Sequence, residues 1–63
     1  MKIMIAFTDT DGGTVYIARD AIIRVKQARG AHHPNARTIL DLSAGTQAVQ
    51  DEIDEVLRWI ERP

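Results

Sequence analysis

A tight acidic turn near the start of the chain constrains the fold more than any other feature. This turn, TDTDGG at residues 8–13, lies between two short apolar stretches, KIMIAFT at residues 2–8 and TVYI at residues 14–17. An Asp-Gly step supplies the positive φ angles of a tight β-hairpin, and the flanking stretches alternate with a period of two. The sequence therefore predicts an N-terminal hairpin. Both faces of its first strand are apolar, so we expect that strand to be central or covered on both sides.

Three further strands are expected between this hairpin and a C-terminal helix. The predicted order is a bend or single helical turn at residues 18–21, followed by strands at residues 22–28, 37–43 and 46–49. In the first of these strands, alternation directs Ile23 and Val25 inward and leaves Arg24 and Lys26 in solvent.

The segment DEIDEVLRWIER, residues 51–62, is predicted to form an amphipathic helix. Its apolar residues recur at a spacing of three and four and form one stripe, made of Ile53, Val56, Leu57 and Ile60. Acidic residues crowd the first turns and arginines the last, which matches the helix dipole. The pattern predicts one α+β domain over residues 1–63. We expect a small antiparallel sheet of four to five strands, bent or barrel-like, with one C-terminal helix.

The small size of the chain and its lack of cysteine predict self-association. A 63-residue domain buries only about 60% of the surface that its unfolded chain exposes. Without cysteine, neither disulfides nor thiolate-bound zinc add stability. We therefore expect a homo-oligomer. No apolar run approaches the roughly 18 residues of a membrane span, and the N-terminal apolar run is too short for a signal peptide. We expect a cytoplasmic protein with no membrane insertion.

The net charge is −1, but the charges are distributed unevenly. Residues 19–37 carry five basic side chains against one acid, whereas residues 51–62 carry five acids against two arginines. This distribution predicts a basic edge and an acidic side, suited to head-to-tail contact or to one acidic partner. The candidate contacts on that edge are Arg24, Lys26, Arg29, His32, His33 and Arg37. The alternative hypothesis for function is accordingly a nucleic-acid-binding regulator of phage or prophage type that uses this edge.

Two stretches contain residues of the kinds used in metal binding and catalysis. His32 and His33 are adjacent, but no third and fourth ligand or local nucleophile accompanies them. The acidic turn lacks both the sharp-turn glycine and the closing glutamate of a calcium loop in the required positions. The sequence therefore predicts no catalytic residue, no metal site and no cofactor, and we expect a protein that is not an enzyme.

Two aromatic residues are the candidates for a protein–protein interface. Tyr16 lies on the predicted second strand, and Trp59 lies about 100° round the helix from Ile60, beside the apolar stripe. Tryptophan is enriched at the energetic centres of protein interfaces. We expect Tyr16 and Trp59 at an interface, and packing of Trp59 within its own monomer is the alternative.

The order of these features resembles the FlbD-type family of small flagellar and swarming-motility proteins. The resemblance rests on IAFTDTDGGTVYIARDAII, RTILDLSAGTQAV and DEIDEVLRWI, which together cover most of the chain. It implies a non-enzymatic accessory protein that acts through protein contacts and serves flagellar assembly or motility. The leading hypothesis is thus a small interaction protein that self-associates and binds a protein partner.

Overall fold

The structure, a computed structural model, describes residues 2–29 and 33–62 and has an α+β fold. Its strands are β1 (Met4–Thr8), β2 (Thr14–Ala18), β3 (Ile22–Gln27), β4 (Thr38–Leu42) and β5 (Gly45–Val49). A single 3-10 turn, Arg19–Ala21, joins β2 to β3, and the helix α1 (Ile53–Glu61) ends the fold. The strands form two antiparallel sheets, β1-β2 and β3-β4-β5, which do not close into a barrel over the described ranges.

The predicted N-terminal hairpin is confirmed, with β1 and β2 paired from Met4–Ala18 to Thr8–Thr14. Gly12 has a φ of 94°, a backbone conformation that glycine adopts readily and that other residues rarely adopt. The Asp9 amide donates to the Gly13 carbonyl at 2.7 Å, which closes the loop. Of the Asp-Gly step only Gly12 has a positive φ, and five residues, 9–13, separate the strands, so the hairpin forms as predicted with a longer turn than a two-residue one.

The inward direction predicted for Ile23 is wrong. The pairing of β3 with β4 shifts register between Ile22 and Arg24, as in a β-bulge, so the strict alternation of side chains is interrupted there. Ile22 consequently packs against the core, and Ile23 is 69% exposed. Val25, beyond the bulge, packs against the core as predicted.

The two sheets are joined where β1 ends and β5 ends. Asp9 and Val49 form an antiparallel bridge, and the Gln50 amide donates to the Thr8 carbonyl at 2.8 Å. The hydroxyl of Thr38, which is fully buried, donates to the Asp51 carbonyl at 2.7 Å and ties β4 to the segment that leads into the helix. These bonds fix the hairpin against the three-stranded sheet.

The hydrophobic core lies between the hairpin, the three-stranded sheet and α1. Its buried members are Ile5, Phe7, Ile17, Leu40, Val49 and Val56, and the partly buried side chains around them include Trp59 and Ile60. From the predicted helix stripe, Val56 is fully buried, whereas Leu57 is 38% exposed. The helix therefore packs through a narrower stripe than its sequence predicts.

The expectation that the first strand is central or covered on both sides is wrong. In the two-stranded sheet β1 pairs along its length only with β2, and Met4 is 53% exposed. The alternation of the sequence identifies the two faces of this strand correctly, because Ile5 and Phe7 are buried and Met4 and Ala6 are exposed. The second face of β1, which carries Met4 and Ala6, is therefore in contact either with solvent or with another molecule.

Candidate interaction surface

The outer face of the hairpin is apolar and open. Register places Met4 across from Ala18 and Ala6 across from Tyr16, so these four side chains share one face, which we call the hairpin face. Met4 is 53% exposed and Tyr16 is 66% exposed, and no charged side chain interrupts the four. An isolated two-stranded hairpin is only marginally stable, so cover on this face adds to its stability.

The outer edge of β1 carries free backbone hydrogen-bonding groups. The Arg19 amide donates to the Ile3 carbonyl and the Asp9 amide to the Gly13 carbonyl, so the odd-numbered residues bond to β2. The even-numbered residues of this stretch, Lys2, Met4 and Ala6, then direct their N–H and C=O groups away from β2. No described strand pairs with these groups, and we call them the β1 edge.

At Thr8 the same edge is already occupied. The Thr8 amide donates to the Asp51 carboxylate at 2.7 Å, and the Thr8 carbonyl accepts the Gln50 amide. The free part of the edge is therefore short and ends before Thr8.

A groove of about 440 Å³ runs along the β1 edge. It is lined by residues 3–6 together with Arg19, Trp59 and Arg62. The Arg19 guanidinium donates to the Arg62 carbonyl, which ties the 3-10 turn to the end of the helix. The groove thus combines the apolar residues 3–6 and Trp59 with two arginines, Arg19 and Arg62, in its lining.

The edge of β3 differs from the β1 edge in charge and shape. Arg24 and Lys26 project from β3 into solvent, and the bulge at Ile22 and Arg24 bends the strand. Charged side chains and bulges are the devices that keep sheet edges from pairing with other chains. The strand β1, MIAFT, has no charge, proline or bulge, and the β1 edge carries one charged residue, Lys2, just before the strand.

The two predicted interface residues lie on either side of β1. Tyr16 is exposed on the hairpin face, next to Ala6. Trp59 lines the groove, and its ring also packs edge-on against Phe7, with ring centroids 5.9 Å apart. Trp59 therefore packs within the monomer while part of it borders the groove, and its role at an interface stays a prediction.

The structure brings most of the predicted basic edge together. Arg24 and Lys26 share one face of β3, and the Ala28 amide donates to the Arg37 carbonyl at 3.0 Å, which closes the loop that begins at exposed Arg29. The basic groups have acidic neighbours: Arg24 lies 3.7 Å from Asp41, and Arg37 lies 4.0 Å from Glu52. The side chains of Arg24, Arg37 and Glu52 are mostly exposed and that of Asp41 is partly exposed, so each pair contributes at most about 1 kcal/mol.

The second histidine of the loop has a structural partner. His33 is exposed, and its Nδ1 accepts the Asn35 amide at 3.1 Å, while the Asn35 side chain donates to the Thr10 carbonyl. The Asn35 side chain therefore attaches this loop to the acidic turn by a hydrogen bond. The prediction for His32 falls outside the described residues.

The carboxylates of the acidic turn accept local hydrogen bonds. Asp9 Oδ1 accepts the Thr10 amide at 2.7 Å and the Gln47 side-chain amide at 3.2 Å, and Asp11 Oδ1 accepts the Gly13 amide. Within residues 2–29 and 33–62, no group of three or more histidine, cysteine or acidic side chains is arranged to hold a metal ion.

Sequence reasoning missed the residues that make the groove and the free edge. Met4, Ala6 and Ala18 of the hairpin face and Arg19 and Arg62 of the groove lining were not among the predicted contacts. The available clue in the sequence was that both faces of the first strand are apolar. This pattern indicates that something covers the second face, but it does not indicate whether that cover belongs to the same chain.

Among the described residues, no helix has the length and apolar character needed to cross a membrane. Comparisons with protein-family models, with curated proteins and with solved structures found no match for this chain.

Proposed function

We propose that this protein is a small, non-enzymatic interaction module that self-associates through the hairpin face and the β1 edge. The observation that carries the proposal is the conjunction of two features on one hairpin. Met4 and Tyr16 are more than half exposed on an uncharged face, and no described strand pairs with the adjoining edge of β1. Exposed apolar surface and an unpaired strand edge together are typical of a protein contact.

The polar side chains near the end of β1 agree with a scaffold role. The Gln50 side chain donates to the Asp9 carbonyl, and the Asp51 carboxylate accepts the Thr8 amide, so both side chains bond the end of β1 to the segment after β5. Hydrogen bonds of this kind fix the hairpin relative to the three-stranded sheet. By its resemblance to the FlbD-type family, the process that we propose for this module is flagellar assembly or motility, with a protein partner and a cytoplasmic location.

A comparison of exposed apolar positions tests the proposal. The double variant Met4→Ser with Tyr16→Ser removes the two largest side chains of the hairpin face. Ile23→Ser is the matched control, because Ile23 is 69% exposed and Tyr16 is 66% exposed, but Ile23 lies on β3. We expect the double variant to weaken self-association at least about tenfold by sedimentation velocity, which corresponds to about 1.4 kcal/mol, and the control to leave it unchanged.

The opposite pattern would overturn the proposal. If Ile23→Ser dissociates the assembly and the double variant does not, the contact lies elsewhere on the molecule. Circular dichroism of each variant at the same concentration establishes that the comparison is between folded proteins.

A nucleic-acid-binding regulator is the second candidate function. Its supporting observation is that Arg24 and Lys26 project from one face of β3, near the loop ends that carry Arg29 and Arg37. This function predicts binding to single- or double-stranded DNA or to RNA that weakens steeply with salt and with Arg24→Ala or Lys26→Ala. Fluorescence anisotropy at low salt is the measurement, and absence of binding to these probes removes this candidate.

A further inference from the structure

We infer that two copies join their β1 strands antiparallel, about a two-fold axis at Met4, to form one continuous four-stranded sheet. This inference rests on the self-association proposed above. It assigns the backbone contact to the β1 edge and joins the two hairpin faces, through Met4, into one surface on the same side of the sheet. In this arrangement the sheet order is β2-β1 of one copy followed by β1-β2 of the other. The occupant of the free edge is therefore a second copy of the same strand.

The register follows from which backbone groups are free. Lys2, Met4 and Ala6 direct their hydrogen-bonding groups outward, and Thr8 has both of its groups occupied by Gln50 and Asp51. Among these free residues Met4 is the middle one. An antiparallel pairing centred on Met4 joins Met4 to its own copy and Lys2 to Ala6 of the other copy, so every free group receives a partner.

A register in which the second strand is shifted two residues further along β1 is blocked at Thr8. Centring the pairing on Ile5 would place Lys2 of one copy opposite Thr8 of the other, where the Gln50 amide already binds the Thr8 carbonyl at 2.8 Å. The occupied end of the edge thus limits how far the second strand can advance.

The proposed pairing covers Ile3, a side chain that is half exposed in the monomer. Ile3 is 47% exposed, and it lies on the same side of β1 as buried Ile5 and Phe7. In the register centred on Met4, Ile3 of one copy lies across from Ile5 of the other. That position is in the groove of about 440 Å³ beside Trp59. An isologous contact of this kind fills both grooves at once.

Electrostatics favour a copy of the same strand at this edge. The segment from Ile3 to Thr8 carries no charge, and each Lys2 lies across from Ala6 of the other copy, so the pairing places no like charges opposite each other. Arg19 and Arg62 line the groove, and the Arg19 guanidinium donates to the Arg62 carbonyl.

Single-cysteine variants test the register, since the chain has no cysteine of its own. Met4 and Ala18 face each other across the hairpin and share one face, so Met4→Cys and Ala18→Cys are matched. In the proposed sheet the two Met4 positions are about 5.5 Å apart between Cα atoms, which a disulfide spans. The two Ala18 positions are three strand spacings apart, about 14 Å, which a disulfide cannot span.

We expect Met4→Cys to form a disulfide-linked dimer in a glutathione redox buffer on the order of tenfold more readily than Ala18→Cys. Non-reducing electrophoresis and mass spectrometry measure the two yields. Equal yields, or a higher yield for Ala18→Cys, would overturn the register. If the unmodified protein is then still a dimer by light scattering, the proposed self-association stands, whereas a monomer overturns both.

A second pair of variants tests the edge without cysteine. Ala6→Pro removes an amide that faces outward on the β1 edge, so the ladder to β2 keeps its bonds. Ala18→Pro does the same on the outer side of β2, and Ala18 has a φ of −64°, which proline adopts. We expect Ala6→Pro to weaken dimerisation at least about tenfold and Ala18→Pro to weaken it less, since proline at residue 18 keeps the hairpin face apolar and leaves the β1 edge unchanged. Folded Ala6→Pro protein with undiminished dimerisation would contradict the pairing.

Discussion

Trp59 of α1 meets Phe7 of β1 edge-on, with ring centroids 5.9 Å apart and ring planes inclined at 60°. Phe7 is 1% exposed, so the tryptophan covers one side of the core as well as bordering the groove. Edge-to-face pairs of this kind stabilise by about 0.5–1.5 kcal/mol beyond the area that they bury. This contact attaches the C-terminal helix to the N-terminal hairpin.

Replacing Trp59 by alanine removes that attachment. We expect Trp59→Ala to lower the free energy of unfolding by about 2–3 kcal/mol, below the range for a fully buried aromatic because Trp59 is only partly buried. Urea denaturation followed by circular dichroism measures the change. Leu57→Ala on the same helix is the control, and its cost is expected to be about 1 kcal/mol or less, since Leu57 is 38% exposed. Equal losses for the two variants would contradict this account of the helix.

The buried hydroxyl of Thr38 gives a second prediction. Thr38→Val keeps the shape of the side chain but removes the donor to the Asp51 carbonyl, 2.7 Å away. We expect a loss of about 1–2 kcal/mol in the free energy of unfolding, because the carbonyl loses its partner in a part-buried position. Thr14→Val, on an exposed strand position, is the control and is expected to change stability little. A neutral Thr38→Val would indicate that the hydroxyl does not tie β4 to the helix entry.

The turn of the hairpin depends on one glycine conformation. Gly12 has a φ of 94°, and a Cβ built there meets no atom within 4 Å, so the cost of a side chain is backbone strain alone. We expect Gly12→Ala to destabilise the protein by about 1–2 kcal/mol in thermal or urea denaturation. The exposed Ser43→Ala serves as the control in a different turn. An unchanged midpoint for Gly12→Ala would show that the turn relaxes to another type.

The carboxylate of Asp51 closes the end of the β1 edge. Its Oδ1 accepts the Thr8 amide at 2.7 Å, so Asp51→Ala leaves that amide without a protein partner. We expect a loss of about 1 kcal/mol in the free energy of unfolding for Asp51→Ala. Asp51→Asn keeps an oxygen acceptor and is expected to lose less. Equal losses in both variants would point to the charge rather than the hydrogen bond.

The hairpin could be predicted from sequence because its determinants are local. Asp11, Gly12 and two alternating stretches fix a turn and two strand faces without reference to the rest of the chain. The helix could be predicted for the same reason, since the spacing of Ile53, Val56 and Ile60 describes one face.

The remaining features depend on pairing between distant segments. Alternation indicates which side chains share a face, but it does not indicate which edge of a strand is paired, and so β1 was expected at the centre of a sheet. Ile23 was placed inward because a bulge opposite Asp41 and Leu42 leaves no mark in the local pattern. The contact of Trp59 with Phe7 likewise joins residues at opposite ends of the chain.

The mass of the protein in solution tests the central claim most directly. Size-exclusion chromatography with light scattering, over a dilution series, gives that mass for the unmodified chain. We predict a dimer of the 7.0 kDa chain at high concentration, which dissociates on dilution. A mass of one chain at every concentration would contradict the proposed self-association.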